Sequence, residues 1–185
     1  MLFMPGYAYA ILAVGWLIWL APFLTAKRHG ERPKEVDRRA RWGILFVAVA
    51  YSILWQNSFW ARPLGAWRIA LSVTFLLLAG VVSSAATRSL GRQWRIDASL
   101  NPDHELVTSG PYALVRHPIY TSMLFMLWGT GFMVTPLPML LLATVVFIVG
   151  TEIRVRIEDR LLASHFGDEF WKYQRSVPAY IPFMK

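Results

Sequence analysis

Three side chains that can hold charge or move a proton stand close together at Arg116, His117 and Tyr120, within the stretch "LVTSGPYALVRHPIYTS" (106–122). An arginine presents a planar fork of donors that matches a carboxylate. A histidine exchanges its proton near neutral pH, and a tyrosine hydroxyl both donates and accepts. A second set follows in "TEIRVRIEDRLL" (151–162), with Arg154, Glu158 and Asp159. If this segment is helical, Arg154 and Glu158 form an i,i+4 pair, as do Glu152 and Arg156, beside an apolar stripe of Ile153, Ile157 and Leu161. Ionisable groups where an apolar helix meets water can line a substrate path. On spacing alone a plainer reading is equally open, in which Tyr and Arg mark the headgroup level and the second set is a salt-bridged helix on the interface.

The elements that would position them are set by the apolar pattern. The chain is 56% hydrophobic and only 16% charged, against roughly 25% charged in a soluble domain. Its apolar residues come in long uncharged blocks rather than stripes, the pattern of an all-α integral membrane protein. Met1–Ala26 has no charge and is followed by the basic "KRHGERPKEVDRRAR", which reads as an uncleaved first span. Trp42–Ala61 and Ile69–Thr87 are the second and third spans, joined by the turn "RPLGAW". Pro118–Thr151 is again uncharged, but at roughly 50 Å it is too long for one crossing. "TPLP" (135–138) breaks it into a hairpin of spans four and five, and the fifth helix is expected to continue out of the membrane. About five transmembrane helices and a cytoplasmic, helical C-terminal region are thus expected. The first 87 residues supply three spans and a basic loop; residues 88–185 supply the chemistry, within one membrane domain.

Charge gives the orientation. Of 19 Lys and Arg, only Arg62 and Arg68 fall on the predicted outer side. The segments 27–41, 88–116 and 154–185 are therefore expected in the cytoplasm, with the N-terminus outside. The formal net charge of +8 is read as this topology plus attraction to anionic membrane lipid, not as nucleic-acid binding. The chain has no cysteine, which excludes thiol nucleophiles and disulfides. His29, His104, His117 and His165 lack metal-ligand spacing, so no metal site is expected. The tail "SVPAYIPFMK", with two prolines and two aromatics, reads as an extended segment laid against the rest.

Taken together, "HELVTSGPYALVRHPIY", an apolar hairpin, then "ED", "FGDEF" and "VPAYIPF" in order and at this spacing resemble the isoprenylcysteine carboxyl methyltransferase family and the related membrane methyltransferases of phospholipids and small thiols. The resemblance covers about residues 88–185. It implies an S-adenosylmethionine site between the loop before span four and the helix after span five. His104, Glu105, Leu106, Val107 and Tyr112 would line that site, and His117, Pro118, Ile119 and Tyr120 would complete its wall. Glu158 would hold the cofactor's positive amino end, and Arg154 would face the substrate. Arg116 would hold a carboxylate or brace the loop, and a thiol or amine acceptor would need a base such as His117 or Tyr120. Four features depart from the family's pattern: Ser122 where a glycine is common, Glu158-Asp159 in place of two glutamates, "GRQW" at 91–94, and Ser176 rather than a basic residue before Val177-Pro178.

The resemblance implies an amphiphilic acceptor, the carboxylate of a prenylcysteine or similar compound first, a phospholipid amine or small thiol second. A membrane reductase using NADPH shares the His-Pro-x-Tyr pattern but carries an acid shortly after the tyrosine, which "IYTSMLFM" does not. A non-enzymatic relative is the remaining alternative.

Overall fold

The computed structural model describes residues 5–26, 40–56, 64–91 and 105–182. The described residues are helices and connecting segments: α1 (Gly6–Thr25), α2 (Ala40–Ile53), α3 (Ala66–Leu90), a short 3-10 turn (Gly110–Ala113), α4 (Pro118–Val134), α5 (Leu137–Phe166) and α6 (Asp168–Ser176). In space α1 packs on α3, α3 on α4, α4 on α5 and α5 on α2, with the 3-10 turn seated against α3.

The apolar blocks become helices because lipid offers no partner for a bare peptide group, so each segment must satisfy its own backbone. α1, α3 and α5 are long and apolar enough to cross a membrane. Side chains such as Leu17, Leu24, Val81 and Leu141 are at least 66% exposed, a surface suited to hydrocarbon rather than water. The protein is a membrane protein. The expected five full spans need correcting in length: α2 has 14 residues and α4 has 17, about 21 and 26 Å of rise against a hydrocarbon core of roughly 30 Å. α2 was expected to run to Ala61 but ends at Ile53. Its last carbonyls are taken by tight bonds from the Leu54 and Trp55 amides and by the Gln56 side chain. The break between α4 and α5 falls at Thr135-Pro136, as the sequence implies.

Between the helices, packing is close and pinned by a few polar contacts. Leu54, Leu76, Met126, Leu127 and Phe147 fill the centre. Phe75 stacks on Phe132 and meets Trp128 edge-on. Ser72 donates to the Gly129 carbonyl at 2.6 Å, and Tyr51 donates to that of Met123 at 2.8 Å. Arg68 donates to the carbonyls of Phe132 and Thr135, satisfying acceptors that the end of α4 leaves bare.

The tightest approach is between α2 and α5. A Cβ on Gly43 would lie 2.6 Å from the Gly150 carbonyl oxygen and 2.5 Å from Cγ of Arg154. The absent side chain lets the two backbones touch one turn before Arg154 and leaves room for the arginine's stem. We expect Gly43→Ala to lower stability by about 1–3 kcal/mol through overpacking. Thermal unfolding in detergent should show this loss, whereas Gly6→Ala, where a Cβ meets nothing within 4 Å, should unfold like the parent.

Candidate active site

α5 runs unbroken for 30 residues, so Arg154, Glu158 and Asp159 project from one rigid helix. The stripe Ile153, Ile157 and Leu161 holds this part of the helix against Ala40 of α2. Gly167, with φ of +54°, then turns the chain into α6; that left-handed backbone suits glycine, and its amide closes α5 on the Ala163 carbonyl. Opposite lies the start of α4. Its N-cap, His117, has φ of −125° and ψ of 64°, outside the helical region that a following proline disfavours, and Pro118 takes the first helical position.

His117 stands between the paired acids. Its Nε2 is 2.8 Å from Asp159 Oδ1, and its Nδ1 is 3.4 Å from Glu158 Oε2. The ring is buried. Two facing carboxylates favour a ring protonated at both nitrogens, since a neutral imidazole has only one N–H to offer. Burial alone would favour the neutral ring, but the hydrogen bond with Asp159 and the negative charges of both acids outweigh it and push the histidine up to about 9. The sign follows directly. The folded state binds this proton more tightly than the ordinary value near 6.5, so the ion pair's stabilisation is full below that value and is lost as pH rises through about 9. Thermal unfolding should show stability falling, by an amount on the order of 3 kcal/mol, as pH rises from about 6.5 to about 9, and little further loss above that; His117→Asn should flatten it.

Tyr120 lies beside the histidine, with ring centroids 5.8 Å apart. Its hydroxyl donates to Glu158 Oε1 at 2.5 Å and accepts from Arg154 Nε. Arg154 is buried, lies over the Tyr120 ring and donates through Nη2 to the same Glu158 oxygen at 3.0 Å. Tyr120, Arg154 and Glu158 therefore form one closed unit, and the i,i+4 pair read from spacing is present. Glu152 and Arg156 also pair, at 2.8 Å, on the exposed side of the helix. Tyr112 is buried in the 3-10 turn; burial and the nearby Tyr173 and Glu158 hold its hydroxyl well above the usual tyrosine range.

Arg116 is placed differently. Its Nη2 donates to Asp159 at 2.9 Å, and its Nη1 donates to the carbonyls of Gln174 and Val177. Of the two roles left open for it, this geometry is that of a brace. Of the other expected residues, Glu105 is exposed, Leu106, Val107 and Ile119 are half-buried, and Pro118 is fully buried. His104 lies outside the described residues. Ser122, where a glycine is common in the family, accepts from Trp19 Nε1 at 3.1 Å and donates to the Ile119 carbonyl, tying α1 to the start of α4. Sequence reasoning assigned no role to Asp159, to Gln174 or to Gly43 beneath Arg154. The adjacent acid pair was a visible signal for Asp159; the other two are brought in only by the turn at Gly167 and by the packing of α2 on α5.

The donor set fits the zwitterionic end of S-adenosylmethionine. Glu158 is the more exposed of the two acids, with its side chain 21% accessible against 10% for Asp159. Its Oε2 lies farther from His117 than an ordinary hydrogen bond, which leaves acceptor capacity for an ammonium group.

A membrane bundle carrying this charged cluster at a helix entrance agrees with what comparison finds: residues 67–169 match the phospholipid methyltransferase family, and the chain belongs to it. It is similar to the cobalt-zinc-cadmium resistance protein CzcN of Cupriavidus metallidurans, 34% identical over 142 residues that cover 76% of this chain and 62% of that one. It is also similar to protein-S-isoprenylcysteine O-methyltransferase of Schizosaccharomyces pombe, 33% identical over 112 residues, covering 60% and 48%. Protein-S-isoprenylcysteine O-methyltransferase B of Arabidopsis thaliana is 29% identical over 123 residues, covering 64% and 61%. The matched residues span about half to three-fifths of the length of these relatives. The resemblance to the isoprenylcysteine carboxyl methyltransferases is borne out by the latter two.

Proposed function

We propose that the protein is a membrane methyltransferase that uses S-adenosylmethionine and methylates the carboxylate of an amphiphile such as a prenylcysteine. The observation that carries the choice of acceptor is the state of His117 and Tyr120. The histidine faces a carboxylate at each ring nitrogen, and the tyrosine hydroxyl is engaged by both Arg154 and Glu158. Held between two carboxylates, the histidine is kept as an imidazolium, and the tyrosine keeps its proton on Glu158's side, so neither is poised to accept a proton. A thiol or an ammonium must lose a proton before it attacks; a carboxylate is already ionised.

When bound, S-adenosylmethionine supplies an electrophilic methyl group on a sulfonium. Glu158 takes the ammonium end, with His117 and Tyr120 fixing its orientation. Arg154, held by Tyr120, orients the acceptor carboxylate for in-line approach. Bound there, the cofactor would give its methyl group to a carboxylate oxygen, with its carbon–sulfur bond the one to break, so these residues would have no proton to remove. Opposite charges would cancel along this path. In this reading five helices cross the bilayer with the N-terminus outside. The site faces the cytoplasm, where a water-borne cofactor meets an acceptor from the lipid phase, and residues 88–185 form the catalytic half on a scaffold of the first three helices.

The test is methyl transfer by detergent-purified protein given S-adenosylmethionine labelled in its methyl group, with an S-prenylated N-acetylcysteine, phosphatidylethanolamine and a long-chain thiol offered separately. Label entering the prenylcysteine as a base-labile ester is the expected result. Label entering only the amine or the thiol would overturn the carboxylate assignment.

A further inference from the structure

Asp159 sits where three separate pieces of the chain meet. It accepts from His117 Nε2 at 2.8 Å and Arg116 Nη2 at 2.9 Å, both from the loop before α4. It also accepts from Gln174 Nε2 of α6 at 3.0 Å. Around this point the tail after α6 is laid along the same loop. The amides of Arg116 and His117 donate to the carbonyls of Pro178 and Ala179 at 2.9 and 2.8 Å. Thr121 donates to the Tyr180 carbonyl at 2.6 Å, and Tyr173 donates to that of Tyr112 at 2.6 Å. Arg116 closes the join from the other side by reaching the Gln174 and Val177 carbonyls. The tail thus satisfies the two backbone amides that immediately precede α4.

We infer that Asp159 is a positioning residue: it holds His117 against Glu158 and, through Gln174 and Arg116, makes the wall of the site depend on the docked tail. The acid pair therefore divides its work. Glu158 shares its oxygens with the exposed side of the cluster, and Asp159, the more deeply buried acid, has all its named donors within the protein. The groups that bear on the histidine are Glu158 and Asp159 from α5, Arg116 and Tyr120 beside it in sequence, and Tyr173 from α6, whose hydroxyl feels both Arg116 and Asp159. The cofactor part of this inference rests on the proposed function; the behaviour of the ring and the tail does not.

The experiment compares the full chain with Asp159→Asn and Gln174→Ala in detergent by three measurements. They are the titration of His117 by NMR of carbon-13-labelled histidine, hydrogen exchange of segments 112–118 and 174–182, and affinity for S-adenosylmethionine. In Asp159→Asn the His117 midpoint should fall by about one pH unit or more. Both segments should exchange at least about 10-fold faster, and affinity should weaken about 10- to 100-fold. In Gln174→Ala, which leaves the acid pair in place, the two segments should loosen together and affinity should weaken while the histidine midpoint stays near its parent value. If the parent binds no S-adenosylmethionine, the functional reading fails, but the midpoint and exchange results still decide the positioning role. An unchanged His117 midpoint in Asp159→Asn, or a tail that loosens without loosening 112–118, would overturn it.

Discussion

Glu158→Gln is expected to weaken S-adenosylmethionine binding by about 100-fold or more while the protein stays folded. The substitution keeps the shape and an oxygen to accept from Tyr120 and Arg154, so it removes chiefly the charge. A charge-assisted hydrogen bond to a buried ammonium contributes about 1.5–3 kcal/mol, and loss of the negative charge also leaves Arg154 and His117 less well balanced. Truncation to alanine would be a poorer test, because stranding a buried charge partner costs about 3–5 kcal/mol by itself. Calorimetric titration beside a thermal melt separates the two effects: the account expects a large loss of affinity with a modest drop in melting temperature. Unchanged affinity would remove Glu158 from the cofactor site.

Arg154→Lys is expected to lower kcat/KM for the carboxylate acceptor by about 100-fold, with cofactor affinity within about threefold of the parent. Lysine keeps the charge but lacks the planar fork that engages Tyr120 through Nε and Glu158 through Nη2. Misplacing an acceptor by about 1 Å is enough for a loss of this size. Steady-state methyl transfer and direct cofactor titration on the same preparation check the split. A variant that loses cofactor affinity but transfers methyl normally at saturating cofactor would instead assign Arg154 to the cofactor.

Much of the frame was legible in the sequence because lipid imposes simple rules. Uncharged blocks gave α1 and α3, and "TPLP" placed the break between α4 and α5. The i,i+4 pairs Arg154–Glu158 and Glu152–Arg156 followed from helical spacing. The limit of α2 at Ile53 was not legible, since the uncharged block continues to Ala61 while the helix ends where side chains and tight turns take its last carbonyls. Within the site, Tyr120 and Glu158 were found through motif resemblance, and helix spacing could not have shown that they touch across two helices. Arg116 illustrates the same boundary: its identity suits a carboxylate anchor, and only the position of the tail shows it bracing Val177 and Gln174. Gly43 is more hidden still, because its importance lies in an atom it lacks.

The most direct measurement is calorimetric titration of the purified, folded protein in detergent with S-adenosylmethionine and with its demethylated product. Both should bind at micromolar concentration, weakened together by Glu158→Gln and by Tyr120→Ala. Absence of binding in protein that melts cooperatively would contradict it, and binding of NADPH in that case would point to a reductase on the same helical frame.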